Sequence, residues 1–423
     1  MAHELEVRLH GRLVGTITNL ASDYNAFAFA ESYLADEHRP TVSLGFYDVD
    51  GNIALPVRVP RVRLLPFFAN LLPEGHLRAY LAQKAHVNAK RDFPLLRLLG
   101  EDLPGAAIVS HRDGVAITSR DAAELALERA EADPQILKFS LAGVQLKLSA
   151  IAEASAGLTI PAHGRDGDWL VKMPSATYDK VPENEFAMLA FARAVGIDVP
   201  QTRLIDSARI ANMPTGVRTD LGRALAVKRF DRTEHGRIHI EDFNQIYNQY
   251  PHDKYDNVSY DNMLANIWAT LGEVEACEFV RRLVFSIGIG NADMHLKNWS
   301  VIYRDGKTPT LAPAYDYVST LAYIPNDSLA LSLGRTKAWN AVTFDHLERV
   351  ARHAKVPRGV VRQAANEMVA RMRDVWPKLR GDLDVPRHIA ETVSTQIAVV
   401  PLFSGKVSAP SAAVASRERS EIS

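Results

Sequence analysis

The chain has 423 residues, of which 47% are hydrophobic and 23% are charged, and its formal net charge at pH 7 is -1. This composition is ordinary for a globular protein, and the length predicts about two or three domains or lobes. A charge this close to zero excludes a bulk electrostatic attraction to nucleic acid or to membranes, although it leaves room for a local basic patch.

The cysteine content and the lengths of the apolar runs exclude further classes of protein. The single cysteine, Cys277, excludes an intramolecular disulfide and any cysteine-based zinc cluster. No stretch reaches the run of about 18 apolar residues that a membrane-spanning helix needs. The first residues alternate charged and apolar side chains without the apolar core of a signal peptide. We therefore expect a soluble, cytoplasmic protein with no membrane partner.

The first 110 residues predict a small α+β unit. Residues 4–18 alternate in polarity around His10-Gly11, which is typical of a β-hairpin. The strand pattern continues through 27–34 and 41–59, where Asp50-Gly51 marks a turn. Residues 65–85 then change to helical spacing, with Pro73 and Glu74 at a helix start.

The next part of the chain alternates strands and helices. Residues 121–132 predict a short helix, and two strand-like runs follow around Ala142-Gly143. A short strand over 168–174 ends at Pro174, and 182–197 has the start and stop signals of a helix. Residues 223–232 predict another strand.

Helical patterns dominate after residue 260. They cover 261–271, 275–290, 344–355 and 358–376, and one hairpin, 299–303 with 308–312 around Asp305-Gly306, interrupts them. The small polar residues at the C-terminus predict a disordered tail. The expected domains are an N-terminal α+β subdomain, a nucleotide-binding core with a hinge, a helical lobe with the catalytic loop, and the tail, covering 1–110, 111–245, 246–403 and 404–423.

The stretch GNADMHLKNWSVIY, residues 290–303, holds the first chemical signal. Asp293 and Asn298 have the D-x-x-x-x-N spacing of a protein-kinase catalytic loop. In that loop the aspartate accepts the proton of the acceptor hydroxyl, and the asparagine oxygen helps to hold Mg²⁺. Because this spacing is common by chance, it is weak evidence alone, and a polar turn that leads into a strand is the better interpretation of the isolated stretch.

The residues beyond this loop favour the kinase interpretation. A strand, a turn and a second strand follow, and then PAYDYVS supplies Asp316. By itself Asp316 would be a turn aspartate that caps the next segment. As the third member of an ordered set it is better interpreted as a metal ligand, since Mg²⁺ needs only one or two protein oxygens beside phosphate and water.

A kinase also needs a strand lysine for the ATP phosphates and a helix acid that pairs with it. Lys172 in WLVKMP is the preferred lysine, with Lys228 in LAVKRFDR as its rival. Glu185 is the preferred partner and Glu183 the alternative. The segment SLAGVQLK has a single glycine, Gly143, so it is either an ordinary β-turn or a phosphate-covering turn whose backbone and Lys147 face the nucleotide.

Taken together, these stretches resemble the HipA family of serine/threonine kinases, the toxin components of HipBA toxin–antitoxin pairs. The resemblance covers most of the chain and rests on several motifs in order: FFANLLPEG, FSLAGVQLKLSA, WLVKMP, NEFAMLAFARAVGI, LAVKRFDR, IHIEDFNQ, NADMHLKNWS and PAYDYVS. It implies an α+β, two-lobed protein-kinase-like fold, with a strand-rich N-terminal lobe and a mainly helical C-terminal lobe.

The resemblance also implies roles for single residues. Asp293 corresponds to the catalytic base and Lys172 to the lysine that binds the ATP phosphates, supported by Glu185. The other implied assignments are Mg²⁺ ligation by Asn298 and Asp316, adenine contact through the backbone of Lys228 and Phe230, nucleotide contact by Gly143, Lys147, His295 and Lys297, and autophosphorylation of Ser140. A phosphate on Ser140 would place negative charge where the loop should hold an anionic nucleotide.

The implied partners are a protein substrate, a HipB-like antitoxin that is a helix-turn-helix dimer, and operator DNA reached through that antitoxin. By analogy with the family, the substrate is a translation-related protein such as an aminoacyl-tRNA synthetase, and autophosphorylation and antitoxin binding inactivate the kinase. Two departures stand out: Leu-Lys-Leu-Ser after Gln145 where some relatives have Glu-Lys-Thr, and Lys228 where some have Glu.

Two other functions remain open on the sequence alone. The basic stretch 349–380 would suit a non-toxic co-repressor that binds an antitoxin–operator complex, although a solvated basic face is the commoner explanation of such a stretch. Asp293 and His295 could instead be a metal-ligating D-x-H pair of a hydrolase. No further ligands near that pair complete a metal site.

Overall fold

The computed structural model describes residues 3–20, 23–56, 61–111, 147–152, 158–161, 167–175, 177–214 and 217–405. The predicted helix over 121–132, the first strand-like run before Gly143 and most of the predicted tail lie outside these residues. The chain divides into two compact units, 1–257 with 294–317 and 258–293 with 318–423. The predicted domain boundaries at 110, 245 and 403 stay predictions.

The first unit begins with a four-stranded antiparallel sheet in the order β3-β2-β1-β4. Its strands are β1 (His3–Leu9), β2 (Arg12–Asn19), β3 (Asn25–Phe29) and β4 (Ala107–His111). Leu9 pairs with Arg12, and the two residues between them, His10 and Gly11, have φ of 51° and 78°. Positive φ at both central positions is what a tight two-residue hairpin turn requires, so the predicted hairpin is confirmed.

Four helices accompany this sheet: α1 (Glu31–Leu34), α2 (Pro66–Asn70), α3 (Gly75–Lys84) and α4 (Asp92–Leu99). Pro66 opens α2 because its missing N–H is not needed there, and Glu74 stands immediately before α3 as predicted. Phe46, Phe67 and Phe68 are fully buried against the sheet. Burying each such ring contributes about 1.5–3 kcal/mol to folding.

The strands predicted over 41–59 are wrong within the described part of this segment, 41–56. Residues Leu44–Phe46 form a short 3₁₀ helix, and only a single bridge joins Tyr47 to Ile53 around the predicted turn. The reason is hydrogen bonding by side chains, one near and one far in sequence: Ser43 Oγ accepts from Gly45 N, and Glu241 accepts from Leu44 N. These side chains satisfy backbone groups that a strand would have paired with a neighbouring strand.

A six-stranded sheet in the order β8-β10-β7-β5-β6-β9 follows. Its strands are β5 (Lys147–Ala152), β6 (Leu158–Thr159), β7 (Trp169–Lys172), β8 (Thr202–Asp206), β9 (Ile210–Ala211) and β10 (Arg223–Lys228), and helix α5 (Val181–Ala194) packs against β8 and β10. Gly196 follows α5 with φ of 89°, the left-handed conformation that ends many helices. The strands predicted over 168–174 and 223–232 and the helix predicted over 182–197 are confirmed.

The first unit ends with smaller elements. They are the pair β11 (Arg232–Thr233) and β12 (Gly236–Arg237), helix α6 (Phe243–Ile246), and a three-stranded sheet of β13 (His239–Asp242), β14 (Ser300–Tyr303) and β15 (Thr310–Leu311). The predicted hairpin after the kinase-like loop is therefore confirmed as β14 and β15.

The second unit is helical in its described part. Its helices are α7 (Tyr260–Thr270), α8 (Glu273–Ile289), α9 (Phe344–His353), α10 (Arg358–Asp382), α11 (Arg387–Val399) and α12 (Pro401–Ser404). A capping box of Ser259 and Asn262 begins α7, and Gly290 ends α8 with φ of 68°. The four helices predicted here are confirmed, so the class is α+β as expected. Within the described ranges, no helix combines the length and apolarity that crossing a membrane would need.

Buried charges attach the N-terminal sheet region to the rest of the first unit. Asp231 accepts from Arg229 at 2.9 and 3.0 Å and from the backbone N–H of Gly105 at 2.8 Å, while Arg232 reaches Asp102 at 3.0 Å. Burial alone would raise the pKa of Asp231, but the two arginines outweigh it and lower that pKa to about 2. Asp231 is therefore ionised at neutral pH.

A second buried contact is centred on Glu241 of β13. Its carboxyl accepts from Ser43 Oγ at 2.5 Å and from Leu44 N at 2.8 Å, and the hydroxyl of Tyr303 donates to it as well. No cation pairs with this group in the described residues. Burial raises the pKa of Glu241 to about 7, although the three hydrogen bonds oppose the shift.

Glu241→Gln tests this buried acid through the pH dependence of stability. Because the folded pKa is raised from 4.5 to about 7, the folded state binds more protons than the unfolded state between these values. The wild-type protein should therefore lose stability as pH rises through this window, by about 3 kcal/mol from this group. The variant lacks that loss, so its stability relative to wild type should rise between pH 5 and pH 8, measured by urea unfolding.

Glu31→Gln is the control, since it removes one carboxylate from an exposed position of α1. Parallel pH profiles of wild type and Glu241→Gln would contradict the assignment of a raised pKa.

Candidate active site

One pocket of the first unit collects residues from every part of that unit. The N-terminal region contributes Asn70, Leu71 and Pro104, and the six-stranded sheet contributes Lys147, Leu170, Lys172, Val227 and Lys228. The segment after β10 adds Arg229, Phe230 and Asp231, and β13 with α6 adds Ile240, Glu241, Asp242 and Gln245. The region around β14 adds Lys297, Ser300, Tyr315 and Asp316. Apolar walls and a floor of opposite charges are the usual composition of a nucleotide or cofactor site.

Lys172 lies at the centre of a group of charged side chains at the bottom of the pocket. It ends β7, and only 3% of its side chain is exposed. Its ammonium lies 2.5 Å from Glu185 Oε1 of α5 and also pairs with Asp316. Lys147, which begins the neighbouring strand β5, lies 3.5 Å from the other Asp316 oxygen. Two cations and two carboxylates therefore share one largely buried cluster.

The pKa values of these groups follow from burial and from mutual attraction. Burial lowers the pKa of Lys172, but the carboxylates of Asp316 and Glu185 outweigh it and raise that pKa above its ordinary value. Burial raises the pKa of Asp316, but Lys147 and Lys172 outweigh it and hold that pKa well below its usual range. Asp316 is therefore an ionised carboxylate, and 21% of its side chain is exposed.

The structure separates the alternative partners of Lys172. Glu183 pairs with Arg223 at 3.0 Å instead, so the helix acid that meets Lys172 is Glu185. The rival lysine, Lys228, lies 2.5 Å from Asp168, and both side chains are about two-fifths exposed. Lys228 and Phe230 both line the pocket, and the backbone N–H of Lys228 donates to Gln201 O at 2.8 Å.

The turn before β14 holds three of the predicted residues. His295 is buried against the edge of the Tyr255 ring, and burial with the positive charges of Lys254 and Lys297 lowers its pKa to about 3. It is therefore neutral and cannot supply positive charge to a phosphate. Lys297 lines the pocket, and Asn298 ends the short helix Leu296–Asn298, its N–H donating to His295 O.

Asp316 follows the β14–β15 hairpin in an uncommon backbone conformation. Its φ is 55°, in the left-handed region that aspartate and asparagine tolerate better than most residues. The preceding Tyr315 donates its hydroxyl to Lys297 O at 3.0 Å and lies 2.5 Å from Ser300 Oγ. Tyr315, the residue before Asp316, is thus hydrogen-bonded to Lys297, the residue before Asn298.

Asp293 belongs to the second unit and follows the end of α8. Its side chain is exposed although both neighbours, Ala292 and Met294, are buried. Its N–H donates to Asn291 Oδ1 at 3.0 Å, which shapes the turn that presents it. Ser140 and Gly143 lie outside the described residues, so their roles stay predictions.

The residues present fit a magnesium–nucleotide complex by the chemistry of their donors. Asp316 and Asn298 offer the oxygens that Mg²⁺ prefers, and Lys147, Lys172 and Lys297 offer ammonium groups to phosphates. No group of three or more His, Cys, Asp or Glu side chains in the described part of the chain is arranged as a metal site. The hydrolase hypothesis built on Asp293 and His295 therefore gains no support.

Several pocket residues were missed by the sequence interpretation. Asn70 belongs to the FFANLLPEG motif, and Glu241 and Asp242 to IHIEDFNQ; both motifs were recognised, but no residue in them received a role. Asp242 caps α6, and burial raises its pKa to about 6 although the ammonium of Lys297 opposes this. For Glu241 and Asp242, the sequence feature that could have indicated a role was the occurrence of two acids at the end of a strand-like segment.

Lys172→Met should lower the free energy of unfolding by about 3 kcal/mol or more, because it leaves the buried carboxylate of Glu185 without a cation. Lys172→Met/Glu185→Gln should recover part of this loss, since the uncompensated charge is gone. Urea denaturation followed by circular dichroism measures both changes.

The matched control is Lys228→Met, a strand lysine with an ion pair of the same length but in an exposed position. It should cost less than about 1 kcal/mol. Equal losses for Lys172→Met and Lys228→Met would contradict the role given to burial.

Comparison with known proteins is consistent with this geometry. Residues 5–110 match the model of the HipA N-terminal domain, and residues 139–376 match that of the HipA-like C-terminal domain. The chain is 46% identical over 402 residues to the putative kinase Y4dM of Sinorhizobium fredii, covering 94% of this chain and 97% of that protein. It is 26% identical to the serine/threonine-protein kinase toxin HipA of Shewanella oneidensis, covering 75% and 76% of the two chains.

Among solved structures, the chain resembles that of the Shewanella oneidensis MR-1 toxin–antitoxin system HipA, HipB and operator DNA complex. The TM-score is 0.71 at 21% identity, with 94% of this chain and 96% of that chain covered. The fold is therefore the predicted kinase-like one, and the family-model matches together with the 46% identical relative establish membership. The chain belongs to the HipA family.

Proposed function

We propose that this protein is an ATP- and Mg²⁺-dependent serine/threonine protein kinase that acts as the toxin of a toxin–antitoxin pair. The observation that carries the proposal is the buried Lys172, held by Glu185 of α5 and paired with Asp316 at the floor of the pocket. A strand lysine, a helix glutamate and a metal-binding aspartate are the parts that active protein kinases bring together.

The pocket residues divide the work of nucleotide binding. Lys172 would hold phosphate oxygens, and the backbone at Lys228 and Phe230 would meet the adenine edge. Asn298 and Asp316 would hold Mg²⁺, which neutralises charge on the phosphates when it is bound. The ionised state of Asp316 at neutral pH supports this assignment.

Phosphoryl transfer then requires a base and good positioning. Asp293 accepts the proton of the acceptor hydroxyl while the oxygen of that hydroxyl forms a bond to the γ-phosphorus. The bond from that phosphorus to the β–γ bridging oxygen breaks, and ADP leaves. The exposed position of Asp293 between two buried neighbours supports its access to a large substrate. By family analogy the acceptor is a serine or threonine of a translation-related protein.

Asp293→Ala should reduce phosphate transfer from labelled ATP by about 10²- to 10⁴-fold, because the acceptor loses its proton acceptor. Incorporation into total cell protein, followed by a phosphoproteome comparison, measures the loss and identifies the substrate.

Asp374→Ala, which removes an exposed aspartate from α10 in the same unit, is the control and should keep wild-type activity. Equal incorporation by wild type and Asp293→Ala would overturn the assignment of the base. Mapping phosphate on the active protein in the same samples reads out Ser140, and phosphate found only at other residues would remove that prediction.

The partner proposal is a HipB-like antitoxin that carries the kinase to operator DNA. The fold shared with the Shewanella HipA that was solved with HipB and DNA supports it. Several cations of the basic stretch are already paired, as Arg362 is with Glu348 and Lys378 with Asp374, which argues against strong autonomous DNA binding.

An electrophoretic DNA shift should therefore appear with the antitoxin, become slower when this chain is added, and weaken with salt. A shift by this chain without antitoxin would contradict the proposal that it reaches operator DNA through the antitoxin.

A further inference from the structure

Glu74, in the N-terminal region, pairs with two lysines, and one of them, Lys297, belongs to the proposed catalytic loop. It stands immediately before α3, and 15% of its side chain is exposed. Its Oε1 lies 2.7 Å from Lys297 Nζ, and its Oε2 lies 3.3 Å from Lys254 Nζ. Burial raises the pKa of Glu74, but the two lysines outweigh it and lower that pKa below its ordinary value. One ionised carboxylate thus stands between two ammonium groups.

The same short region provides a second anchor. The ammonium of Lys297 donates to the backbone carbonyl of Asn70, the last residue of α2, at 3.1 Å. Only 9% of the Lys297 side chain is exposed, so water replaces these two contacts poorly. The chain between α2 and α3 therefore fixes both the charge and the direction of this side chain.

Lys297 is well placed to transmit that constraint. It directly precedes Asn298, and its own carbonyl accepts from Tyr315, the residue before Asp316. Holding the Lys297 side chain therefore restrains the short turn that carries one proposed metal ligand and, through Tyr315, the approach to the other. Small displacements of such groups reduce catalysis strongly, because phosphoryl transfer depends on alignment.

We propose that Glu74 is a positioning residue of the kinase site, which acts by holding Lys297 and with it the turn Leu296–Asn298. The inference rests on the proposed kinase function. It makes the N-terminal region part of the phosphotransfer apparatus, in addition to its role in folding.

The test is the kinetics of phosphate transfer by Glu74→Gln, which keeps the side-chain shape and removes the charge. We expect kcat to fall roughly 10- to 100-fold while KM for ATP changes less than about threefold. Lys297→Gln should reproduce this loss, and Glu74→Gln/Lys297→Gln should be no worse than either single change. Thermal unfolding of each variant shows whether the fold is kept.

Lys254→Gln is the matched control, because it removes the other ammonium that contacts Glu74 but leaves Lys297 anchored. Its kcat should stay within about threefold of wild type. If Lys254→Gln lowers kcat as much as Glu74→Gln does, the carboxylate acts through general packing and the proposal is overturned.

The remaining outcomes separate this proposal from the function on which it rests. An active wild type with an equally active, folded Glu74→Gln would overturn the positioning role and leave the kinase assignment intact. A wild type that transfers no phosphate to any protein would remove both. If Glu74→Gln does not fold, Lys297→Gln decides: a folded variant with unchanged kcat overturns the proposal, because Glu74 is held to act only through Lys297.

Discussion

A buried cation must be neutralised, and this requirement at Lys172 organises the site. An isolated ammonium removed from water would cost several kcal/mol, so strand β7 can place Lys172 in the interior only if carboxylates accompany it. Glu185 arrives on helix α5 and Asp316 at the end of the β14–β15 hairpin. One charge thus brings together a strand, the helix that follows it and a hairpin end 144 positions further along the chain.

The two carboxylates that accompany Lys172 differ in their exposure to solvent. Glu185 is as deeply buried as Lys172, whereas Asp316 keeps a fifth of its side chain exposed and has a second cation, Lys147, beside it. The buried member provides rigidity, and the partly exposed member can exchange partners. In the proposed nucleotide complex, charges of both signs would redistribute among phosphates, a divalent cation and this cluster without leaving any buried group alone.

Sequence patterns located this cluster but not the contacts that come from the N-terminal region. Lys172 and Glu185 were predictable because one strand and the next helix carry them, a local arrangement with a known chemical purpose. The contact between Asn70 and Lys297 spans 227 positions, and no periodicity records such a pairing. The wrong prediction of strands over 41–56 has the same origin, since Glu241, far along the chain, accepts the N–H of Leu44 that a strand would have used.

The backbone conformation of Asp316 restricts which residue types fit at this position. With φ at 55°, the residue must be one that tolerates a left-handed conformation, which favours glycine, asparagine and aspartate. Of these only aspartate carries a negative charge. Glutamate would keep the charge but strain the chain, and asparagine would keep the geometry but lose the charge. Each of these two replacements meets one demand and violates the other, whereas aspartate meets both.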